Sequence, residues 1–182
     1  MASIFTPQAE AKGLKLIISF VSELDLSDDQ FILLQPQLSR RASMPFGLVG
    51  DERRLKQLLI NLVKNSLKFT DEGIIEVKVA YRKDESLLVV HVRDTGCGIA
   101  PNDMDKLFSR FGKLQRTAEI NSEGIGLGLM ICQQIVRQSG GTILVLSDGI
   151  DLGSTFKFSM PAPRAEHEFD NIAELPASTR SQ

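Results

Sequence analysis

Residues 51–70 carry the clearest helical pattern in the chain. Their apolar side chains recur at spacings of three and four and form one wide stripe, made of Leu55, Leu58, Leu59, Leu62 and Val63. Asp51 suits the N-cap, because its carboxylate can accept from free N–H groups of the first turn. Asn61, Asn65 and Lys68 flank the stripe and project from one side of the helix. Spacing alone leaves open a solvated polar face or one wall of a binding site.

Five other segments have the alternation or the apolar density of β-strands. They are residues 14–21, 74–82, 87–93, 142–146 and 155–160. The second and third are joined by polar residues 83–86 and are predicted to form a hairpin, and the last two form another around residues 147–154. Apolar and polar residues alternate along 74–82, so one face of the sheet is expected to be covered and the other solvated.

Three shorter helices are also predicted. Residues 3–12 form a short helix or the end of a longer upstream one, and Gly13 stops it. Residues 101–107 begin with a proline, which suits the first turn of a helix. Residues 127–139 have an apolar side and end at the glycine pair 140–141.

Two stretches interrupt these elements. Residues 22–45 form a long excursion with Pro36, a basic pair at 40–41 and room for a helical turn, and residues 46–49 are predicted as a short strand after it. Beyond residue 161 the chain is polar and lacks a sustained apolar face, which is typical of a tail or linker.

Composition suits one globular domain: 182 residues, of which 42% are hydrophobic. A net charge of −2 gives no global field for nucleic acid or an anionic membrane. The chain has neither a run of 18 apolar residues nor the basic start and apolar core of a signal peptide. Cys97 and Cys132 indicate a reducing compartment rather than a disulfide framework. Neither they nor His91 and His167 have zinc-ligand spacing.

The segment Asp94-Thr95-Gly96-Cys97-Gly98-Ile99 follows a predicted strand directly. Glycine lacks a Cβ, so its N–H can approach a ligand closely. The carboxylate of Asp94 can accept from an exocyclic amino group such as that of adenine. The alternative is an ordinary tight turn.

Phe108 and Phe111 lie three residues apart and are followed by the polar, glycine-bounded residues 112–123. The two phenylalanines fit a core as well as a site. The polar stretch has the composition of a mobile lid, and Lys113 or Arg116 could reach a phosphate when it closes.

Three alternating glycines, Gly124, Gly126 and Gly128, open the helix predicted at 127–139. Backbone N–H groups at such a helix start bind anions. A Rossmann fingerprint would follow a strand, a P-loop needs G-x-x-x-x-G-K-[S/T], and a protein kinase needs H-R-D and D-F-G; none of these is present. The run therefore indicates a phosphate cradle of another kind.

In this order, four stretches resemble the ATP-binding catalytic domain of sensor histidine kinases, a member of the GHKL ATPase superfamily. They are the N box at 54–70 with N-L-x-x-N-x-x-K-F-T, the G1 box at 94–99, the F box at 107–111 and the G2 box at 124–129. The closing segment 140–161 resembles the family's last strands. The segment that contains Phe5, Ala9, Lys12 and Gly13 resembles the family's link between the dimerisation helices and this domain.

The resemblance implies an α/β two-layer sandwich, a Bergerat-type fold in which a mixed sheet is covered on one face by about three helices. Residues 1–13 would connect to missing dimerisation and acceptor helices, 14–161 would be the catalytic domain with 22–45 as a long insertion, and 162–182 would be a flexible tail or linker.

The resemblance also implies roles for site residues. Asn65 would coordinate Mg²⁺ through its amide oxygen, with Asn61 assisting directly or through water, and Lys68 would contact phosphates; these three are the catalytic candidates. Phe69 would pack near the adenine, and Asp94 would accept from its amino group. The other residues implied to bind ATP are Gly96, Gly98, Ile99, Phe108, Phe111, Lys113, Gly124, Gly126, Leu127, Gly128 and Leu129.

Two departures from the family bear on function. ATP-hydrolysing relatives and anti-sigma serine kinases carry an acid where this chain has Asn61, and an amide cannot act as a general base. No His followed by Glu or Asp on a helix supplies a phospho-acceptor, because His91 lies on a predicted strand and His167 in the tail. Phosphoryl transfer to a histidine of another domain is therefore expected.

Two alternatives stay open: a nucleotide-binding regulatory module without transfer, and a GHKL ATPase. The resemblance implies ATP or ADP, the parent protein's dimerisation and histidine-phosphotransfer domain and a response-regulator receiver domain as partners, with a homodimer only in the full-length protein. Nucleic acid is not expected as a partner. A cytoplasmic location is expected, with a membrane anchor open for the full-length protein.

Overall fold

The computed structural model describes residues 2–21, 47–109 and 127–165 of the chain. The elements are α1 Ala2–Ala11, β1 Lys15–Phe20, α2 Glu52–Phe69, β2 Ile74–Arg82, β3 Leu87–Asp94, a 3-10 helix Pro101–Lys106, α3 Gly128–Gln138, β4 Thr142–Leu146 and β5 Ser154–Pro161. The predicted excursion 22–45 and the predicted lid 112–123 lie outside the described residues.

Helix α2 forms as its sequence pattern predicts. The Asp51 side chain caps it by accepting from the Arg54 N–H at 3.0 Å. Glu52 and Lys56 add an ion pair one turn apart on the solvent side. The helix ends at Phe69, because Thr70 has an extended backbone. Its apolar stripe is buried at Leu58, Leu59, Leu62, Val63 and Leu67.

One mixed sheet holds all five strands in the order β1-β2-β3-β5-β4. Strand β1 runs parallel to β2, and the other neighbours are antiparallel. The helices pack on one side of this sheet, so the predicted fold class is confirmed. Both predicted hairpins, β2–β3 and β4–β5, are present.

The core lies between the sheet and the helices. Strand residues that point toward the helices alternate with residues on the opposite face, as a half-covered sheet requires. The largest fully buried side chains of this layer are Phe5, Leu58, Leu62, Ile75, Ile135 and Phe158. Burying such side chains stabilises the fold by about 1.5–3 kcal/mol each before conformational entropy is subtracted.

Helix α1 is fastened to the end of α2. Phe5 and Ala9 are each 1% exposed in the common core. Lys12 follows α1 and donates from Nζ to the carbonyl oxygens of Leu67 at 2.9 Å and Thr70 at 3.3 Å. These carbonyls have no intrahelical partner at a helix end, so Lys12 acts as a C-terminal cap. Among the described residues, no helix is long and apolar enough to cross a membrane.

Three local details differ from the sequence pattern. Residues Pro101–Lys106 form a 3-10 helix. Asp94 is the last residue of β3 rather than the first of a loop. After β5 the chain continues in contact with the fold, because the Ala162 N–H donates to Ser86 O at 2.8 Å and Arg164 bridges to Leu48. Leu48 belongs to the predicted strand 46–49, which appears here as this single bridge.

Candidate functional site

The carboxylate of Asp94 accepts four hydrogen bonds from the chain around it. Its residue is 5% exposed, at the end of β3. Oδ1 accepts from the backbone N–H groups of Gly96 at 3.1 Å and Ser154 at 3.2 Å. Oδ2 accepts from the Ser154 hydroxyl at 2.8 Å and the Ser66 hydroxyl at 3.1 Å. These four donors satisfy a buried charge that would otherwise be costly.

Four donors also use the full acceptor capacity of a carboxylate, which is about four lone-pair sites. The two backbone donors are fixed by the chain, whereas a serine hydroxyl can rotate away. An incoming amino group can therefore bond Asp94 only by replacing the hydroxyl of Ser66 or Ser154. The arrangement suits a ligand that presents one hydrogen-bond donor to Asp94. The serine hydroxyl that this donor displaces can then form a hydrogen bond to another polar group of the ligand.

Sequence reasoning missed both serines. Ser154 lies 60 positions from Asp94 and Ser66 lies 28 positions from it, so no local pattern joins them. A signal existed in the position of Ser66, directly after Asn65 within the N box, where a small polar residue is buried at 1% exposure.

The loop after Asp94 is packed between two parts of the fold. The Cys97 N–H donates to Phe69 O at 3.0 Å, at the end of α2. The Cys97 carbonyl accepts from the Asp151 N–H at 2.8 Å, in the loop between β4 and β5. A Cβ at Gly96 would overlap the Phe69 carbonyl oxygen, and Gly98 has φ 61° and lies against Gly149 O. Close backbone packing therefore requires glycine at both positions.

Ile99 and the segment after it pack beside the loop that follows Asp94. The Ile99 N–H donates to Ser147 Oγ at 3.0 Å, and its side chain is buried. Leu107 is buried, whereas Met104 and Phe108 are partly buried against the core. Phe108 thus contributes to packing, the alternative that the sequence left open, while keeping part of its surface exposed.

The polar flank of α2 holds Asn61, Asn65 and Lys68, all half-buried, as is Phe69. Lys68 Nζ lies 5.5 Å from the centroid of the Phe69 ring, close enough for a cation–π contact. Ser66, whose hydroxyl donates to Asp94 Oδ2 at 3.1 Å, directly follows Asn65 on this helix. One helix therefore links the two halves of the predicted site.

Asn61 also faces α3. Burial raises the pKa of the Cys132 thiol to about 12, and the Asn61 side chain offsets part of this rise by hydrogen bonding to the sulfur. Cys132 is 0% exposed and its Sγ lies 3.9 Å from Leu58 O. Asn61 is thus placed at the junction of α2 and α3, and its predicted assistance to Mg²⁺ stays a prediction.

The start of α3 offers backbone donors. Leu127 is its N-cap, and its apolar side chain cannot cap the first N–H groups of the helix. Gly128 begins the helix, and no atom of the described residues lies within 4 Å of the position of a Cβ. Leu127 and Leu129 are half-buried. Such a helix start can bind an anion through its N–H groups and dipole.

A groove of about 410 Å³ opens at the ends of β3, β4 and β5. Of the predicted site residues, Asp94 lines it, together with Met104 and Ser154. Asn61, Asn65 and Lys68 lie on α2 and do not line it. Phe111, Lys113, Gly124 and Gly126 lie outside the described residues, as does Arg116.

A magnesium ion fits the donor set at α2. No group of three His, Cys, Asp or Glu side chains could hold a metal in the part of the chain that the structure describes. An ion at this flank would therefore be held by carboxamide oxygen, ligand phosphate oxygens and water, which is the coordination that Mg²⁺ favours.

Comparison with known proteins identifies the family. Residues 50–164 match the family described as "Histidine kinase-, DNA gyrase B-, and HSP90-like ATPase". The chain belongs to this family. The matched region holds the Asp94 network, the polar flank of α2 and both hairpins, so the family assignment rests on the part of the chain that builds the candidate site.

Individual relatives are histidine kinases. Hybrid signal transduction histidine kinase B of Dictyostelium discoideum is 36% identical over 122 residues, which is 65% of this chain and 6% of that protein. Full-length ShkA in complex with AMPPNP has a TM-score of 0.68 and 26% identity, and the match covers 90% of this chain and 29% of that one. The chain spans a small part of both relatives.

A second solved structure, the catalytic domain of histidine kinase ThkA, has a TM-score of 0.64 and 23% identity over 88% of each chain. At that identity it supports the fold alone. The sheet, the helices on one side and the family match together make this chain an ATPase-type domain of the histidine kinase, gyrase and HSP90 family.

Proposed function

We propose that this chain binds Mg-ATP and transfers the γ-phosphate to a histidine on a dimerisation and acceptor domain, as the catalytic domain of a two-component histidine kinase. The observation that carries the proposal is the joining of two half-sites by α2: Ser66 bonds the buried carboxylate of Asp94, and Asn65 and Lys68 flank it on the same helix. Membership of the family and the AMPPNP complex of ShkA support ATP as the ligand.

At the base end, Asp94 accepts from the adenine amino group in place of one serine hydroxyl. The other hydroxyl and the N–H groups of Gly96 and Ser154 hold the carboxylate in position. Phe69 packs beside the base, and Ile99 and Phe108 exclude water from that end. An ionised carboxylate can only accept hydrogen bonds. It therefore rejects a base that has a carbonyl oxygen where adenine has its amino group.

At the phosphate end, Asn65 holds Mg²⁺ with its amide oxygen, Asn61 assists, and Lys68 contacts phosphate oxygens. Bound there, the ion neutralises phosphate charge. The backbone N–H groups at the start of α3, at Gly128 and Leu129, donate to the remaining phosphate oxygens. Phe111, Lys113, Gly124 and Gly126 complete the cofactor-binding set of the proposal.

The identity of residue 61 favours transfer over hydrolysis. A carboxylate at this position could take a proton from water, whereas the amide of Asn61 cannot act as a general base. Without a base for water, the γ-phosphate is retained until an acceptor side chain is brought to it.

The proposal includes the surroundings of the domain. Residues 1–13 connect it to dimerisation and acceptor helices, residues 14–161 form the catalytic domain, and residues 162–182 form a C-terminal tail or linker. A receiver domain of a response regulator would take the phosphoryl group from the histidine. The free thiols of Cys97 and Cys132 fit a reducing compartment and hence the cytoplasm.

The test mixes the domain with Mg-ATP and the separately expressed acceptor domain of its parent protein. Phosphohistidine on the acceptor is the expected product. Nucleotide binding without transfer to a folded acceptor would instead make the chain a regulatory nucleotide sensor. Substantial ATP turnover by the domain alone would identify a hydrolase and contradict the role given to Asn61.

A further inference from the structure

On the face of the sheet that points away from the helices, the centre of β2 and β3 is buried although no described element covers it, whereas Leu144 and Leu146 on β4 are 46% and 44% exposed. Ala80 is 2% exposed, Val89 8% and His91 6%. All three residues alternate with core-facing ones along β2 and β3, and the described α-helices pack on the other side. The second face of such a sheet normally faces water. Another part of the chain, or a partner, is therefore expected on this face, which we call the outer face.

Two charged side chains on the outer face are shielded as well. Lys78 Nζ and Glu76 Oε2 pair at 3.8 Å, and these side chains expose only 15% and 19% of their surface. Lysine on an open surface usually keeps its ammonium group in water. A cover over this pair must therefore supply polar or charged groups and not apolar surface alone.

The outer face is strongly basic. The strand register places Lys78, His91 and Lys157 in one row across β2, β3 and β5. Among the charged side chains that the strand register places on this face, one is acidic, Glu76, and five are basic: Lys15, Lys78, Arg82, Arg93 and Lys157. A small apolar cluster of Ala80 and Val89, with Val21 and Leu87 against it, lies at the hairpin end. The complementary surface is acidic with a few apolar side chains.

We propose that the outer face is the docking surface for the chain's own acidic segment, residues 166–182. That segment leaves the described fold at Ala165, whose N–H donates to Gly47 O at 2.9 Å. Three residues earlier, the Ala162 N–H donates to Ser86 O, which is next to Leu87 of the apolar cluster. The segment thus starts at the hairpin end of the outer face.

The composition of residues 166–182 matches the face. The segment has one basic side chain, Arg180, and four acidic ones: Glu166, Glu168, Asp170 and Glu174. Its larger apolar side chains are Phe169, Ile172 and Leu175. Extended, its residues span about 56 Å at roughly 3.3 Å each, and crossing five strands needs about 19 Å. Length and charge are therefore both sufficient.

Spacing within the segment adds to the match. Glu166, Glu168 and Asp170 alternate, so an extended backbone directs all three to one side about every 7 Å. The row from Lys78 to Lys157 spans two strand spacings, about 10 Å. Residues 22–46 also begin beside this face, but they carry two arginines with their four acids and match its charge less well.

The first experiment is zero-length carbodiimide coupling of amines to carboxylates in the whole chain, followed by peptide mapping. Lys78 should couple to Glu76, which serves as the internal positive control. Lys78 and Lys157 should also couple to the acids at 166, 168 and 170. Coupling to the acids of residues 22–46 instead, or coupling between differently isotope-labelled chains, would overturn the proposal in favour of the insertion or a second copy.

The second experiment measures acetylation rates of individual lysines. Neutralising the segment with Glu166→Gln, Glu168→Gln and Asp170→Asn should raise the rate at Lys78 and Lys157 several-fold, with exposed Lys64 as reference. The matched control neutralises three exposed acids elsewhere, Glu10→Gln, Glu72→Gln and Asp105→Asn, and should leave both rates unchanged. Equal rates in both variants would refute docking through these acids, and nucleotide binding should persist in each.

Discussion

The base end of the candidate site and the polar flank of α2 are built in opposite ways. Asp94 is 5% exposed and is held by donors from three segments, at Ser66, Gly96 and Ser154. Asn65 and Lys68 are half-buried and are both presented by one helix. The base end is thus preformed by long-range contacts, whereas the flank depends on where α2 lies.

The difference makes the C-terminal end of α2 a key position. Lys12 Nζ bonds Leu67 O, and the Cys97 N–H bonds Phe69 O, so the connecting segment and the loop after β3 both fasten it. These bonds hold the end of the helix that carries Asn65 and Lys68. Selectivity for the base is therefore expected to reside in Asp94, and phosphate and metal chemistry in α2.

The largest effect is expected from Asn65→Ala, which changes the polar flank of α2 and leaves the residues around Asp94 intact. Removing the amide oxygen should abolish transfer and most of the Mg²⁺-dependent part of nucleotide binding, because alanine offers no ligand to the ion. Isothermal titration with and without Mg²⁺ measures this. Lys64→Ala, at the exposed neighbouring position, is the control, and full transfer by Asn65→Ala would exclude the magnesium role.

Next in size is Gly96→Ala at the base end, compared with Gly128→Ala at the flank. A Cβ at Gly96 meets the Phe69 carbonyl, so we expect a loss of unfolding free energy of about 3 kcal/mol, the upper end of the range for overpacking. At Gly128 no described atom lies within 4 Å of a Cβ, and the residue is the first of α3, so alanine should add up to about 0.5 kcal/mol of stability.

Urea unfolding of both variants gives these values, and nucleotide titration of Gly128→Ala adds the second readout. Weaker binding by a more stable protein would support backbone access to phosphates at the start of α3. Destabilisation of the two variants by similar amounts would contradict the packing explanation for Gly96.

Asp94→Asn should weaken ATP binding by about 10- to 100-fold, because a hydrogen bond to a charged acceptor contributes about 1.5–3 kcal/mol. The asparagine N–H₂ would also face donors that the carboxylate now satisfies, which lowers stability. Competition between ATP and GTP measures the base dependence. Asp105→Asn, at an exposed acid of the 3-10 helix, should bind like the parent, and unchanged preference for ATP in Asp94→Asn would contradict a role in base selection.

The smallest effect concerns the two thiols. Burial raises the pKa of Cys132 from its usual 9.0 to about 12, so this thiol stays protonated and unreactive at pH 8. Iodoacetamide should label Cys97 alone in the native protein and both cysteines in urea, as read by mass spectrometry. Cys97→Ser should remove native labelling, and labelling of Cys132 in that variant would show that α2 and α3 open.

The same pKa gives a pH dependence. The folded pKa of Cys132 lies above the unfolded one, so the unfolded state loses its proton first as pH rises. The thiol's contribution is complete below pH 9 and is lost progressively as pH approaches 12. As pH rises from 9 to 12, the unfolding free energy should therefore fall less in Cys132→Ala than in the parent protein.

Much of the fold was predictable because its signals are local. The stripe of α2, the cap at Asp51 and the alternation of the strands are set by neighbouring residues, and all are confirmed. The 3-10 geometry of Pro101–Lys106 was not predicted, since a proline at a helix start does not distinguish the two helix types.

The candidate site was predictable in its motifs and not in its connections. Asn65 and Asp94 belong to recognisable boxes, but the hydrogen bond from Ser66 to Asp94 and the contact of Asn61 with Cys132 depend on how α2 packs against the sheet and α3. Gly96 and Gly98 were expected to serve a ligand, and the structure gives each a packing reason as well.

Sequence by itself determined which segments are helix and strand and which family the boxes indicate, because periodicity and motif spacing are properties of the linear chain. Only the tertiary structure decided that Asp94 is held by serines 28 and 60 positions away and that Ala80, Val89 and His91 are buried on the outer face. Both depend on contacts between residues that are far apart in the chain. Buried polar groups need such partners, and the local sequence pattern does not show which residues supply them.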